Sequence, residues 1–461
     1  MTRFHGGVGA GAGAGSAIAA GVAVVLLLCG FGQQTAPVLH SPVIATATAS
    51  FDEQAAVRGE ERFPRGAHLV VVRNGHAESL VEGYAATADA DVSFDGDKVL
   101  FAGKRDATQP WAIWELNFAD RAVRKVMGGS EDLVRPMYLP DERMVYARRT
   151  PQGFQLETAQ LDGDGASALS FVSGSALPLD VLADGRILFE STYPLGTSGS
   201  PEMYLVYSDG SGVESYRCDH GKARWGGKQV ASGDVVFTEG ATLGRFTSAL
   251  AAEARVAAPA AEYIGGFADA GDGALLVSAR AKGAAHSSLQ LLQPGAQALR
   301  MLYAEREEDL VEPVLMRERV RTHRHPSGLH EWGYANLLAL DARESREGDL
   351  RIAPAAVRVE ALDTAGKAVE LGQAPVESDG SFFVKTPADR PIRFALLDVN
   401  GKVLRQEHGW FWARKGEQRI CVGCHTGPER ASENRVPAVL LRSTIAADVT
   451  GSEQRGSSGS R

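Results

Sequence analysis

The sequence predicts an all-β chain, and two observations predict it. Short apolar strands recur behind turns rich in Asp, Ser and Gly at a nearly constant interval, and no long stretch carries helical periodicity. Five segments show the repeat: Asp95-Gly-Asp-Lys-Val-Leu-Phe101, Asp141-Glu-Arg-Met-Val-Tyr146, Asp184-Gly-Arg-Ile-Leu-Phe189, Ser232-Gly-Asp-Val-Val-Phe237 and Asp272-Gly-Ala-Leu-Leu-Val277. Their last residues are spaced by 45, 43, 48 and 40 positions, the length of one four-stranded propeller blade. Residues 60–330 are therefore expected to form a six-bladed β-propeller. A β-sandwich or a solenoid of hairpins competes with it, and the blade-length period favours the propeller.

Further strands follow the repeats at hairpin distance. Trp111-Ala-Ile-Trp-Glu-Leu116 and Met203-Tyr-Leu-Val-Tyr207 are two, the latter followed by the polar turn Ser208-Asp-Gly-Ser-Gly212. Leu69-Val-Val-Val72 is expected to begin the ring and the stretch from Glu312 to Val320 to close it. The sixth blade carries the weakest mark of the repeat. Trp111, Trp114 and Trp225 read as blade core.

Beyond residue 330 the texture changes. Val357 and Val359 alternate with Arg358 and Glu360, and apolar strands follow at Phe382–Val384 and Ile392–Leu397. Asn400-Gly401 is a strong hairpin signal before Val403-Leu404. Residues 335–440 are expected to form a small antiparallel β-sandwich ending in a short segment that carries the chain's main motif. The Gly/Ser-rich tail, residues 445–461, is expected to stay disordered, because it lacks the apolar surface to offset ordering entropy.

The N-terminus reads as an export signal followed by a linker, residues 1–50. Arg3 precedes a continuous apolar run from Ala17 to Leu28, short for a membrane span and suited to a signal core. Ala47-Thr48-Ala49 offers small-x-small cleavage. Leu26-Leu27-Leu28-Cys29 resembles a lipobox with a bulky residue before the cysteine, and an uncleaved anchor is the third option. A periplasmic or secreted location is expected, with membrane contact only through a lipid or an N-terminal anchor. The formal net charge of −9 on 461 residues provides no basic field for nucleic acid. Four cysteines, one in the leader, Cys218 alone and two in one motif, make no disulfide framework.

That motif is Cys421-Val422-Gly423-Cys424-His425, the attachment pattern of a c-type haem. Two thiols add to the vinyl groups and the adjacent imidazole of His425 reaches the iron. One covalent haem c is expected, held by Cys421 and Cys424 with His425 as metal ligand. Only 36 residues follow His425, so upstream sequence must build the surroundings. A structural zinc site would want four ligands, and no Cys or His follows His425. A redox dithiol would want a helix start in a βαβ setting. Both stand as alternatives.

The opposite axial ligand is open in the sequence. No Met occurs after Met316. His408, in Glu407-His-Gly-Trp-Phe-Trp412, is one candidate, with aromatic residues beside it to pack on a porphyrin. The cluster Thr322-His-Arg-His-Pro326 with His330 is another, and an open or Tyr-ligated iron is a third. Arg217-Cys-Asp-His-Gly221 reads as a structural turn or, at a propeller mouth, as a metal- or proton-handling group.

The run from Ala374-Pro-Val-Glu-Ser-Asp-Gly-Ser-Phe382 through Pro387-Ala-Asp-Arg-Pro-Ile-Arg-Phe-Ala-Leu-Leu-Asp398, Trp410-Phe-Trp412, Lys415-Gly-Glu417 and the Cys421–His425 motif resembles the hydrazine synthase alpha subunit family, in particular relatives of its middle domain. Pro428-Glu429 and Glu433-Asn-Arg-Val-Pro437 share in it, and the upstream repeats resemble a TolB-type propeller. The resemblance implies a haem covalently bound at Cys421 and Cys424 in an exported redox protein. It does not imply hydrazine synthesis, since this chain has one such motif where that subunit carries two. It also implies that His425 need not be the iron ligand. Electron transfer to a redox partner protein, or redox chemistry on a small-molecule substrate, is the expected role. A cell-envelope propeller that binds a partner, with a non-haem or metal-binding motif, is the alternative.

Overall fold

The computed structural model describes residue 39 and residues 41–450, except 173, 192–200, 218–221, 250, 346–347, 364 and 424–432. The chain divides into two units, residues 1–40 and 41–461, and the fold below belongs to the second. Among the described residues it is all-β, with eight four-stranded sheets and one short helix, Ala438–Arg442.

Six of the sheets lie in residues 43–315, the propeller-like part of the chain. Five are meanders whose strands follow chain order: Ala86–Met127, Leu133–Ala168, Ala176–Ser215, Trp225–Arg255 and Glu262–Tyr303. These are the second to sixth sheets. The first sheet is different. Its order is Asp309–Leu315, Val43–Thr48, His68–Arg73, His76–Ser79. The two ends of the propeller sequence thus pair antiparallel, with Val43 opposite Leu315 and Ala47 opposite Leu310. The first strand of each sheet touches the first strand of the next, and Asp309–Leu315 touches both Ala86–Val92 and Glu262–Gly271.

The five sequence repeats fall on one structural position. Each is the turn and second strand of its sheet, as in Lys98–Lys104, Arg143–Thr150, Ile187–Ser191, Val235–Glu239 and Ala274–Arg280. In the first sheet the second strand is Val43–Thr48, which begins upstream of the expected boundary at residue 60. Every residue in it is buried, from Ile44 and Ala45 to Thr46 and Thr48. A cut after Ala49 would remove this strand.

Carboxylates at the borders tie neighbouring sheets together. Asp91 accepts from the Tyr138 amide at 2.8 Å, Asp132 from Trp111 at 3.0 Å, Asp180 from Gln229 at 2.7 Å and Asp309 from Ser287 at 2.7 Å. Each bond gives a backbone donor at a sheet border the partner that burial demands.

Two further sheets pack face to face. One is Ala368–Pro375, Ala356–Leu362, Ile392–Leu397 and Val403–Gln406; the other is Gln418–Cys421, Tyr334–Ala339, Phe382–Pro387 and Ala447–Asp448. Val357 and Val359 point inward, as the alternation requires, onto Leu337, Phe382, Val384, Phe394 and Leu396. The Asn400-Gly401 turn joins Ile392–Leu397 to Val403–Gln406. The sandwich is not wholly antiparallel. Gln418–Cys421 runs parallel to Tyr334–Ala339, and Ala447–Asp448 parallel to Phe382–Pro387. Val449 is buried in the core, so order extends past the expected start of the tail at 445; residues 451–461 lie outside the described set.

The sandwich docks on the third and fourth sheets through residues 412–419. Trp412, 2% exposed, packs on Phe171 and Phe189 and donates from Nε1 to the Gly210 carbonyl at 3.0 Å. Glu417 accepts from the Gly212 amide at 3.1 Å, and Arg419 donates from Nη2 to the Val213 carbonyl at 2.7 Å.

Loss of Val43–Thr48 should open the first sheet. A chain starting at Ser50 is expected to lose cooperative thermal unfolding, and one starting at Ser41 to keep it, as read by circular dichroism melts. In the full chain, Ile44→Asp is expected to lower stability by about 3 kcal/mol or more, since it buries an unpaired charge.

Candidate functional site

Cys421 ends the strand Gln418–Cys421 and pairs with Ala339. The pairing runs on past it: the Leu340 amide donates to the Cys421 carbonyl at 2.9 Å and the Asp341 amide to that of Val422 at 3.2 Å. Strand alternation puts Arg419 and Cys421 on one face and Ile420, 65% exposed, on the other. The Cys421 thiol forms no disulfide. Burial pushes its pKa up, and the neighbouring Arg419 opposes that shift.

Cys424 and His425 lie outside the described residues. The stems on either side of them are both fixed to one corner of the sandwich. Upstream, Val422 is held by the Asp341 amide. Downstream, Arg435 pairs with Asp379 and lies 3.7 Å from Asp341. Asp379 also accepts from the Ala438 amide at 2.7 Å, and the Ser381 hydroxyl from that of Val439 at 3.0 Å, which seats the start of the helix. Gly380 has φ +83°, and a Cβ there would lie 2.1 Å from an Asp341 carboxylate oxygen. Only glycine allows that approach. Burial alone would raise the Asp379 pKa, but hydrogen bonds from Ser381 and Ala438 and the Arg435 charge bring it down to about 2.

Behind Cys421 sits a charged group the sequence did not signal. Glu407 is half-buried, and desolvation raises its pKa to about 7 against the pull of the Phe394 amide, Arg419 and Arg393. Arg419 lies over the Phe411 ring at 5.2 Å, and its Nη1 is buried without a hydrogen-bond partner. No local pattern announces these residues, because their partners are distant in sequence; Arg419 and Val213 are 206 positions apart.

The remaining sequence candidates separate. His408, next to Glu407, is exposed. The aromatic residues after it have separate neighbours. Trp412 is spent in the propeller contact, Phe411 packs edge-on against Phe394, and Trp410 lies under Arg393 at 4.3 Å. The 322–330 histidines diverge. The His323 amide donates to Ala183, His325 stacks on Tyr207 at 3.7 Å, and His330 stacks on Trp332 at 4.6 Å. Among the described residues, no three of His, Cys, Asp and Glu are grouped to hold a metal ion. Of Arg217–Gly221, only Arg217 is described, and it spans the Ala249 and Ala251 carbonyls.

Residues 338–426 match the sequence profile of the hydrazine synthase alpha subunit middle domain. No curated protein matches the chain. Among solved structures, the hydrazine synthase of Kuenenia stuttgartiensis superposes with a TM-score of 0.74 at 16% identity, covering 88% of this chain and 72% of that one. TolB from Acinetobacter baumannii covers 61% of this chain and 68% of its own, with a TM-score of 0.45 and 13% identity. At 16% identity the first likeness shows a shared fold, and its 88% coverage takes in both the propeller and the sandwich.

Asp379→Asn is expected to release residues 435–442 and to lower stability by roughly 1–2 kcal/mol at neutral pH. The folded pKa of about 2 lies below the unfolded value, so the carboxylate contributes above about pH 4 and ceases to as pH falls through 2. Urea unfolding of both proteins should therefore show a gap that narrows between pH 4 and pH 2.5.

Proposed function

Because residues 338–426 form a unit of the hydrazine synthase alpha middle-domain type, we propose that the chain is an exported c-type haem protein acting in electron transfer or small-molecule redox chemistry. In this reading the six propeller sheets are the blades of one closed ring, and the sandwich presents the haem segment at its edge. Cys421 and Cys424 hold one haem by thioether bonds, with His425 approaching the iron from one side and His408 the candidate opposite it.

One observation carries the reading. The described residues flanking the Cys-x-x-Cys-His stretch leave large apolar side chains in water: Ile420 before it, and Val436, Leu441 and Ile445 after it, each at least 60% exposed. Exposed apolar groups beside a motif that binds a large apolar macrocycle are what such a ligand would cover. The donor chemistry fits too. Cys421 supplies a thiol at a rigid strand end, and the unpartnered Nη1 of Arg419 suits an anionic propionate.

When bound, the haem would supply one-electron chemistry at its iron. The chain's own groups would set the conditions for it. The parallel strand pairing fixes where Cys421 sits. Arg419 and Glu407 place one positive charge and one acid with a pKa of about 7 behind the thiol, so Glu407 can hold or release a proton near neutral pH.

A partner-binding envelope propeller is the second reading, favoured by a cavity of about 570 Å³ in the propeller.

Protein expressed with a haem-attachment system should keep a haem absorbance after denaturation and show the spectrum of two thioether links. Cys421→Ser with Cys424→Ser should abolish both. Denatured wild-type protein without haem absorbance would exclude the haem reading.

A further inference from the structure

A cavity of about 570 Å³ is lined by the first strand of each of the second to sixth sheets and by the closing strand, Asp309–Leu315. Its size lies within the range of about 300–1,000 Å³ usual for small-molecule sites. Residues 50–63 pack across one end and make its floor. There the Trp225 indole donates to Glu53 at 2.8 Å, and Arg62 pairs with Asp89 and Glu312. The other end is lined by residues 317–323, which continue from the closing strand. The strand beginning at Ala86 shows the direction: Arg62 meets Asp89 at the floor, and the Arg319 amide bonds to the Phe94 carbonyl at the far end.

Between the two ends the wall is largely apolar. Ala90, Met137, Pro178, Ala268 and Val314 line it from five of the sheets. The fifth sheet contributes Lys228 instead. Among the described residues no carboxylate pairs with the Lys228 ammonium. The carboxylate that feels its charge is Asp180, whose two oxygens are taken by the Val181 amide at 2.9 Å and the Gln229 amide at 2.7 Å. Burial raises the Asp180 pKa, opposed by the Lys228 charge, the Gln229 amide and Arg319. Lys228 and Arg319 thus lie within reach of the same group.

The far end repeats the pattern. Arg317 donates to the Asp269 carbonyl at 2.8 Å and Arg321 to that of Pro140 at 2.9 Å, so neither is spent on a carboxylate. Arg319 pairs with Asp91 at 2.8 Å, yet its Nε is buried without a hydrogen-bond partner, and so is the Thr322 hydroxyl. The guanidiniums of Arg319 and Arg321 both lie over the Phe94 ring, at 4.6 and 5.4 Å. Asp91, Asp180 and Asp269 meanwhile accept from the amides of Tyr138, Gln229 and Ala231 at the sheet borders. Donors are therefore in surplus here, because the carboxylates that would meet them are used as joints. Buried donors without acceptors are costly, so their survival beside an apolar wall needs a reason.

We infer that this end of the cavity binds an organic carboxylate, its charged group held by Lys228, Arg319 and Thr322 and its apolar body laid along the wall. A carboxylate only accepts, and it has about four lone-pair sites, so it suits an ammonium, a guanidinium Nε and a hydroxyl together. A bare oxyanion would meet the donors but leave the apolar wall uncovered. An amine would add donors to donors. The site does not depend on the haem reading.

Calorimetry of the intact protein at neutral pH with octanoate, acetate, octanamide and octylammonium chloride tests this. Octanoate is expected to bind one to one, and about tenfold or more tighter than acetate, which lacks the apolar body. Octanamide should bind about tenfold or more weaker than octanoate, having the same body without the charge. Octylammonium should not bind. Lys228→Gln should weaken octanoate binding about tenfold or more while keeping the wild-type thermal transition. Failure of octanoate to bind the wild type would overturn the proposal, as would equal binding of octanamide or octylammonium, or unchanged octanoate binding by folded Lys228→Gln. Acetate binding as tightly as octanoate would show an anion contact without a site for the apolar body, and would overturn it too. If Lys228→Gln does not fold, the wild-type preference for octanoate over octanamide decides alone.

Discussion

The pairing of Val43–Thr48 with Asp309–Leu315 is the constraint on which the rest depends. Five of the six propeller sheets are local meanders, and each would leave exposed faces and an open border if it stood alone. Strands from the two ends of a long sequence complete the first sheet and bring it against both the second and the sixth. The closing strand also delivers Glu312 to the cavity floor and sends the chain on along the propeller toward the sandwich. The Met316 amide bonds to the Pro42 carbonyl, the Arg319 amide to Phe94 and the His323 amide to Ala183. The Cys421 strand is thus tied, through that path and through Trp412, to the pairing that completes the first sheet.

Polar groups inside this all-β frame follow two different rules. At the sheet borders Asp91, Asp132, Asp180 and Asp309 each meet a backbone N–H and act as joints. At the cavity floor and behind Cys421 the rule is relaxed. Glu53 and Glu407 are both pushed to about 7 by burial, and both lie within reach of partly unpaired groups, Glu190 in one case and Arg419 in the other. Perturbed acids beside incomplete hydrogen-bond networks set these two regions apart from the joints.

How much of this could be read from the residues depends on how local the cause is. The five repeats were legible because each is a tight turn feeding one strand, a matter of adjacent residues. The sixth was not, and the reason is topological. In the first sheet, the two strands that the turn would join come from opposite ends of the propeller, so no turn exists to carry the signature. The Asn400-Gly401 hairpin and the Val357/Val359 alternation were legible for the same local reason. The roles of Trp412 and Arg419 were not, since Gly210 and Val213 lie some two hundred residues away. The histidines of 322–330 look like a cluster in sequence, yet an extended connection spreads them over separate partners.

The parallel edge strand that ends at Cys421 has a consequence for the order of folding. Its partner, Tyr334–Ala339, was made some eighty residues earlier, and Glu417 grips a turn 205 residues back. Contacts of such long range form late, because loop closure must come before any gain. The strand that ends at Cys421 is therefore expected to pair after the local meanders have formed. Any chemistry performed on the Cys421 thiol would then have a kinetic window before docking through Trp412, Glu417 and Arg419.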